Sequence, residues 1–267
     1  MSARASEFCA VPWRRRTVQI EYRWVAPERT GAPLMVFLHE GLGSVSMWRD
    51  FPARLCDALG WRGLVYSRPG YGESTPCAPD EHWAPNFMHQ QALEVLPALL
   101  DALDIDTRQL PHWLFGHSDG GSIALIHAAR HPERVAGAIV LAPHIFVEDL
   151  SLRSIEQARV AFEQGDLHER LARHHVDPDS AFRGWNAAWL SPAFSDWNLA
   201  AELPHICCPL LAVQGIDDEY GTLAQIRGIA SAVPQTQLLE LPACGHSPHR
   251  DQPEAVIAAV RRFLNPA

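Results

Sequence analysis

The chain has 267 residues, 47% of them hydrophobic, which is enough to bury one large core. Its 22 Lys and Arg stand against 31 Asp and Glu, a formal charge of −9. It therefore lacks the basic footprint that neutralises a phosphate backbone, and nucleic acid is not an expected partner. No window approaches the ~18 consecutive apolar residues of a membrane span. The opening MSARASEFCAVPWRRR has no continuous apolar core preceded by charges, as a secretory signal requires. The expectation is a soluble cytoplasmic protein with no membrane partner. Cys9, Cys56, Cys77, Cys207, Cys208 and Cys244 are scattered without zinc-ligand spacing, and the adjacent pair would bridge only in a strained ring. Reduced thiols and no structural metal are expected.

In chain order, TVQIEYRWV from Thr17 alternates as a strand, and residues 33–39 (PLMVFLH) form a continuous apolar run that closes in a Gly-rich turn. The second run has the pattern of a buried central strand. A helical stretch at 48–59 (WRDFPARLCDAL) and a short apolar run at 63–67 (GLVYS) follow, and strand, helix, strand is the rhythm of a parallel sheet with crossovers. Residues 86–103 place Ala92, Val95, Leu96, Leu99, Leu100 and Leu103 at helical spacing ahead of HWLF at 112–115. After AGAIVLAP at 136–143 the alternation stops for about 65 residues, too long for a plain loop in a compact domain. It resumes with PLLAVQG at 209. The interruption has its own helical stretch at 151–164 and reads as a helical cap, about 144–208, inserted in a single domain spanning 1–267. TQLLEL at 236–241 and a helix opened by Asp251 and Pro253 complete the chain. The expected fold is α/β, a mostly parallel central sheet flanked by helices.

Gly116-His117-Ser118-Asp119-Gly120 sets the pattern G-x-S-x-G between the HWLF strand and the helical run SIALIHAARH, the strand-turn-helix context the motif needs. Glycines two before and two after the serine permit a tight turn that presents its hydroxyl. A serine hydroxyl is a weak nucleophile until a base takes its proton, so the reading requires a later histidine and a carboxylate to orient it. Asp218 lies in Gly215-Ile216-Asp217-Asp218 at the mouth of a strand, and His246 in Ala243-Cys244-Gly245-His246-Ser247, just past the last strand. Asp217 is the alternative acid. His127, His131, His174 and His175 read as surface or helix residues.

In this order of nucleophile, acid and histidine the chain resembles the α/β-hydrolase superfamily over nearly its whole length. The resemblance implies acyl transfer to water from a small-molecule substrate without cofactor or metal. Ser118, Asp218 and His246 would form the triad, with Gly215 and Asp218 matching the family's G-x-x-D acid loop. It further implies an oxyanion hole from the amides of Asp119 and Gly41. The Gly41 loop, His39-Glu40-Gly41-Leu42-Gly43-Ser44, is similar to the family's H-G-x-x-G but carries Glu40 where glycine is usual; Glu40 faces either solvent or the pocket. The stretch from Ser67 to Ser74 (SRPGYGES) resembles the family's turn after the fourth strand. The Ser-Asp-Gly-Gly run is similar to that of valacyclovir hydrolase, where the aspartate recognises an amino group. Asp119 thus either binds an amine-bearing acyl group or is a helix N-terminal acid favoured by the dipole.

Phe182, Trp185, Trp189, Phe194 and Trp197 crowd the interruption and either line a pocket or fill a core. Glu40, Trp185, Trp189 and His144 are the candidate pocket residues, with Phe146 close behind His144. The expected activity is carboxylic ester hydrolysis through an acyl-enzyme, on a small to medium, partly apolar substrate. A C–C bond hydrolase of aromatic degradation is the rival, although such relatives usually carry a longer Gly-rich oxyanion loop and a Ser-Met-Gly-Gly elbow. A noncatalytic hydrolase-fold binding protein is a third reading, against which the complete triad speaks.

Overall fold

The computed structural model describes residues 6–78, 81 and 83–265. Eight strands form one sheet in the order β1-β2-β4-β3-β5-β6-β7-β8. β1 (Glu7–Trp13), β2 (Arg16–Val25) and β4 (Arg62–Tyr66) pair antiparallel. β3 (Leu34–Leu38), β5 (His112–His117), β6 (Val135–Leu141), β7 (Leu210–Gly215) and β8 (Thr236–Leu241) continue the sheet in parallel from β4.

The long apolar runs are the central strands, buried on both faces because helices cover both. Strand alternation divides their side chains between two cores: Val36, Leu38, Leu114 and Val140 point to one, Met35, Phe37, Phe115 and Ile139 to the other. Around the sheet lie α1 (Phe51–Leu59), α2 (Phe87–Gln90), α3 (Leu96–Ala102) and α4 (Asp119–Arg130). Between β6 and β7 come α5 (Asp149–Gln164), α6 (Leu167–Leu171) and α7 (Pro178–Trp189), followed later by α8 (Ala224–Ala232), α9 (Pro248–Asp251) and α10 (Pro253–Leu264). α7 starts sharply because Asp177 accepts the Ser180 N–H at 2.9 Å and Pro178 fills the first position, where no N–H is needed.

Three elements differ from the sequence pattern. β1 covers the FCAVPW stretch, which the sequence pattern does not mark as a strand because its hairpin turn lacks Asn-Gly; Arg14 and Arg15 instead adopt φ of 46° and 61°. Arg14 and Arg16 each bind Glu81 at 2.6 Å, which holds that turn in place. The helix expected over 86–103 is interrupted by a π turn at Gln91–Val95. Pro97 supplies the reason, since it cannot donate to the Leu93 carbonyl and its ring crowds that group, opening the preceding turn. α8 was the third omission. Among the described residues no helix is long and apolar enough to cross a membrane, and the six cysteines are free thiols.

Two buried histidines make the stability of this fold depend on pH. Burial pushes His112 down to about 4 and His127 down to about 3. Because these folded-state values lie below the unfolded value near 6.5, the unfolded chain binds more protons below that pH. The contribution of these two histidines is therefore fully present above about pH 6.5 and falls as pH drops towards 4, by up to about 1.4 kcal/mol per pH unit for each group. Urea midpoints at pH 7.5 and pH 4.5 should show this loss, and equal midpoints would contradict it.

Candidate active site

The elbow is built by steric exclusion. Ser118 sits between β5 and α4 at φ 53° and ψ −121°, a conformation that β-carbon-bearing residues seldom adopt. A Cβ on Gly116 would lie 2.2 Å from the Gly120 carbonyl oxygen, and one on Gly120 would lie 2.1 Å from that of Leu38. Both glycines are thus required by backbone approach, and the Ser118 side chain is turned out at the C-terminal end of β5.

Three loops bring the expected partners to it. His246 Nε2 lies 2.9 Å from Ser118 Oγ, and His246 Nδ1 lies 2.8 Å from Asp218 Oδ1. Asp218 is buried, and its Oδ1 also accepts the N–H groups of Tyr220 at 2.8 Å and Gly221 at 3.2 Å, while Oδ2 accepts Gln214 Nε2 at 3.1 Å. Asp217 is exposed and takes no part. Burial opposes ionisation of Asp218, but His246 and these donors outweigh it and hold the carboxyl below its usual range. Burial likewise opposes charging of His246, yet the Asp218 charge and hydrogen bond raise its pKa. A base with that polarisation, touching a hydroxyl, can accept the serine proton and return it.

The Gly41 and Asp119 N–H groups donate to no acceptor among the described residues. The Gly41 loop is anchored from below by Arg68, which is fully buried and donates to the carbonyls of His39 at 2.6 Å and Glu40 at 3.0 Å. Arg68 comes from the SRPGYGES turn.

A cavity of about 170 Å³ opens on Ser118 and His246. Glu40, Gly41, Asp119, His144, Trp185 and Trp189 all line it, so every candidate pocket residue is brought to one place. Trp185 and Trp189, four apart on α7, meet the two residues that carry those amides, one at the Gly41 Cα and the other at the Asp119 carboxylate. A Cβ on Gly41 would lie 2.2 Å from Trp185 Nε1, so the indole occupies the space of a missing side chain. Trp189 Nε1 donates to Asp119 Oδ1 at 3.2 Å, leaving Asp119 Oδ2 buried without a partner among the described residues. Burial pushes the Asp119 carboxyl up to about 6, against the pull of Arg68 and the indole. His144 packs 5.9 Å from the His246 ring, and burial, helped by the His246 charge, pushes it down to about 3. The other aromatics go to the core: Phe182 stacks on Phe162 at 4.0 Å and Phe194 on Trp197 at 5.2 Å.

Sequence reasoning missed Tyr220, whose ring lies 4.7 Å from that of His246, and Glu219, whose Oε2 accepts the His246 N–H at 3.0 Å. Their place directly after Asp218 was the available signal. Arg250, one turn past His246, also lines the cavity and pairs with Glu40 at 3.1 Å.

Comparison with known proteins fits this frame. The chain is 28% identical to a 2-succinyl-6-hydroxy-2,4-cyclohexadiene-1-carboxylate synthase of Enterobacter sp. (strain 638), over 88% of this chain and 93% of the relative. It is 29% identical to a putative carbamate hydrolase of Pseudomonas syringae pv. syringae (strain B728a), over 90% and 96%. The solved enol-lactonase from Burkholderia xenovorans LB400 has a TM-score of 0.74 at 22% identity, over 97% of this chain and 99% of that one, a likeness of fold. These names span different reactions, so kinship alone leaves the scissile bond open. The match to the family's sequence profile runs over residues 35–259, and with an eight-stranded, mostly parallel sheet beneath it, the chain belongs to the alpha/beta hydrolase family.

Proposed function

We propose that the protein is a serine carboxylic ester hydrolase that works through an acyl-enzyme on a small or medium, partly apolar substrate. The hydrogen-bonded sequence Ser118, His246, Asp218 beside two uncommitted amides carries this reading. Ser118 Oγ attacks the ester carbonyl carbon as His246 Nε2 takes its proton, and the carbonyl oxygen gains negative charge facing the Gly41 and Asp119 amides. Each such donor is worth about 3 kcal/mol of transition-state stabilisation. Collapse of the tetrahedral species expels the alcohol, which receives the proton from His246. Water then repeats the sequence on the acyl-enzyme, and Asp218 fixes the imidazole tautomer throughout. The helices between β6 and β7 act as the cap that excludes bulk water and limits acyl size.

The test needs no knowledge of the substrate. Intact mass after exposure to a fluorophosphonate should show one adduct on the wild type and none on Ser118→Ala. A folded wild type that takes no adduct would overturn the reading. Trp185→Ala should raise the rate on 4-nitrophenyl octanoate relative to the acetate by about tenfold, equivalent to about 1.4 kcal/mol of apolar pocket contact; an unchanged ratio would remove Trp185 from the pocket wall.

Asp119 favours a second reading, an esterase for amine-bearing acyl groups. Its Oδ2 is buried without a partner among the described residues, and Asp119 lines the cavity, where an ammonium group would satisfy that oxygen. Comparing an alanine ester with the matching propionate ester decides between the two, and equal rates would sink the amine reading.

A further inference from the structure

Glu40 stands between His39 and Gly41, and its two ends do different work. Its main-chain carbonyl accepts from His39 Nδ1 at 2.7 Å, Arg68 Nη2 at 3.0 Å and Gly43 N at 3.1 Å, which fixes the peptide leading into Gly41. Its side chain, 15% exposed, folds back beneath the loop. Oε1 accepts Arg250 Nη2 at 3.1 Å, and Oε2 lies 3.5 Å from His117 Nδ1. A Cβ on Gly43 would sit 2.4 Å from that Oε2, so the loop keeps a glycine where the carboxylate passes.

The partners of this carboxylate are the neighbours of the reacting groups. His117 immediately precedes Ser118, and its Nε2 lies 2.7 Å from the His246 carbonyl oxygen. A carbonyl oxygen can only accept, so Nε2 carries the proton and ties the elbow to the histidine loop; Nδ1, which makes no hydrogen bond among the described residues, donates to Glu40 Oε2 when the ring carries a second proton and otherwise only packs beside it. Arg250 lies on α9, beyond His246, and donates a second time to the Met47 carbonyl at 3.2 Å. One carboxylate therefore meets the residue before the nucleophile and the helix after the base, and it belongs to the residue before the Gly41 amide.

We propose that Glu40 is a positioning residue, a strut that holds the Gly41 amide in register with Ser118 and His246 through His117 and Arg250. This rests on the acyl-transfer reading above. A misplacement of about 1 Å at such a site costs on the order of a hundredfold in rate, whereas an ordinary surface ion pair contributes about 1 kcal/mol or less to stability and nothing to turnover.

The experiment compares the full-length wild type with Glu40→Ala, Glu40→Gln, Arg250→Met and the Glu40→Ala/Arg250→Met double variant. Fluorophosphonate adduct formation and 4-nitrophenyl acetate turnover are followed, with the thermal midpoint of each. Expected are a fall in kcat of about tenfold or more for Glu40→Ala with KM within about twofold, partial rescue by Glu40→Gln, and a smaller fall for Arg250→Met that adds nothing in the double variant. A folded Glu40→Ala chain with wild-type kcat, or losses that multiply in the double variant, would overturn the strut. Should Glu40→Ala fail to fold, Arg250→Met carries the same test from the solvent side, and wild-type kcat there overturns it as well. A wild type that takes no adduct defeats the acyl-transfer reading instead, which keeps the two failures apart.

Discussion

Alanine at Ser118 is expected to lower kcat about 10⁶-fold, and asparagine at Asp218 about 10⁴-fold, while asparagine at Asp217 leaves turnover unchanged. The first loss follows from removing the nucleophile itself, the Ser118 hydroxyl that His246 Nε2 meets at 2.9 Å. The second follows from the tautomer: an asparagine amide opposite His246 Nδ1 can donate, which moves the imidazole proton to Nε2 and leaves nothing to accept from Ser118. Asp217 is exposed, and its N–H is already bonded to the Cys244 carbonyl at 3.0 Å, so the contrast between adjacent aspartates isolates orientation from local charge. Steady-state rates on 4-nitrophenyl acetate measure all three. Equal losses at both aspartates would assign the effect to electrostatics rather than to the hydrogen bond.

Gly120→Ala is expected to destabilise the fold by about 3 kcal/mol, at the upper end of overpacking costs, and to lower the thermal midpoint by roughly 10 °C. The added methyl would meet Leu38 O at 2.1 Å, Leu38 C at 2.5 Å and His39 O at 2.6 Å. All three are backbone atoms of β3 and its exit, so no rotamer change relieves them. Either α4 moves off the sheet or the His39-Glu40-Gly41 loop is displaced, and turnover should fall with stability. Differential scanning calorimetry checks the first part; a midpoint within a degree of the wild type would mean that helix and strand slide apart freely.

The sheet was legible because its central strands are buried on both sides, so residues 33–39 and 136–143 appear as unbroken apolar runs. Ser118 and Asp218 were legible because each comes just after such a run, and His246 because it lies in a Gly-containing loop between the last strand and the last helices. What failed to show follows from the same physics. β1 is an edge strand with exposed Glu7 and Phe8, and its turn is made by two arginines in positive φ that no turn pattern flags. The break in the 86–103 helix depends on a lost donor at Pro97, which periodicity does not register. Of the five aromatics at 182–197, Trp185 and Trp189 face the cavity while Phe182, Phe194 and Trp197 stack among themselves or on neighbours. Their composition is the same, and only the three-dimensional arrangement separates them. Glu40 was ambiguous because its two partners, His117 and Arg250, lie 77 and 210 residues away.

The interlock of Gly41 and Trp185 makes the helical segment over the site non-exchangeable. A transplanted lobe without an indole at this place would leave a void above the amide, and a bulkier residue at 41 would collide with the native lobe. Engineering of substrate range by lobe swapping therefore has to carry position 41 and α7 together as one cassette.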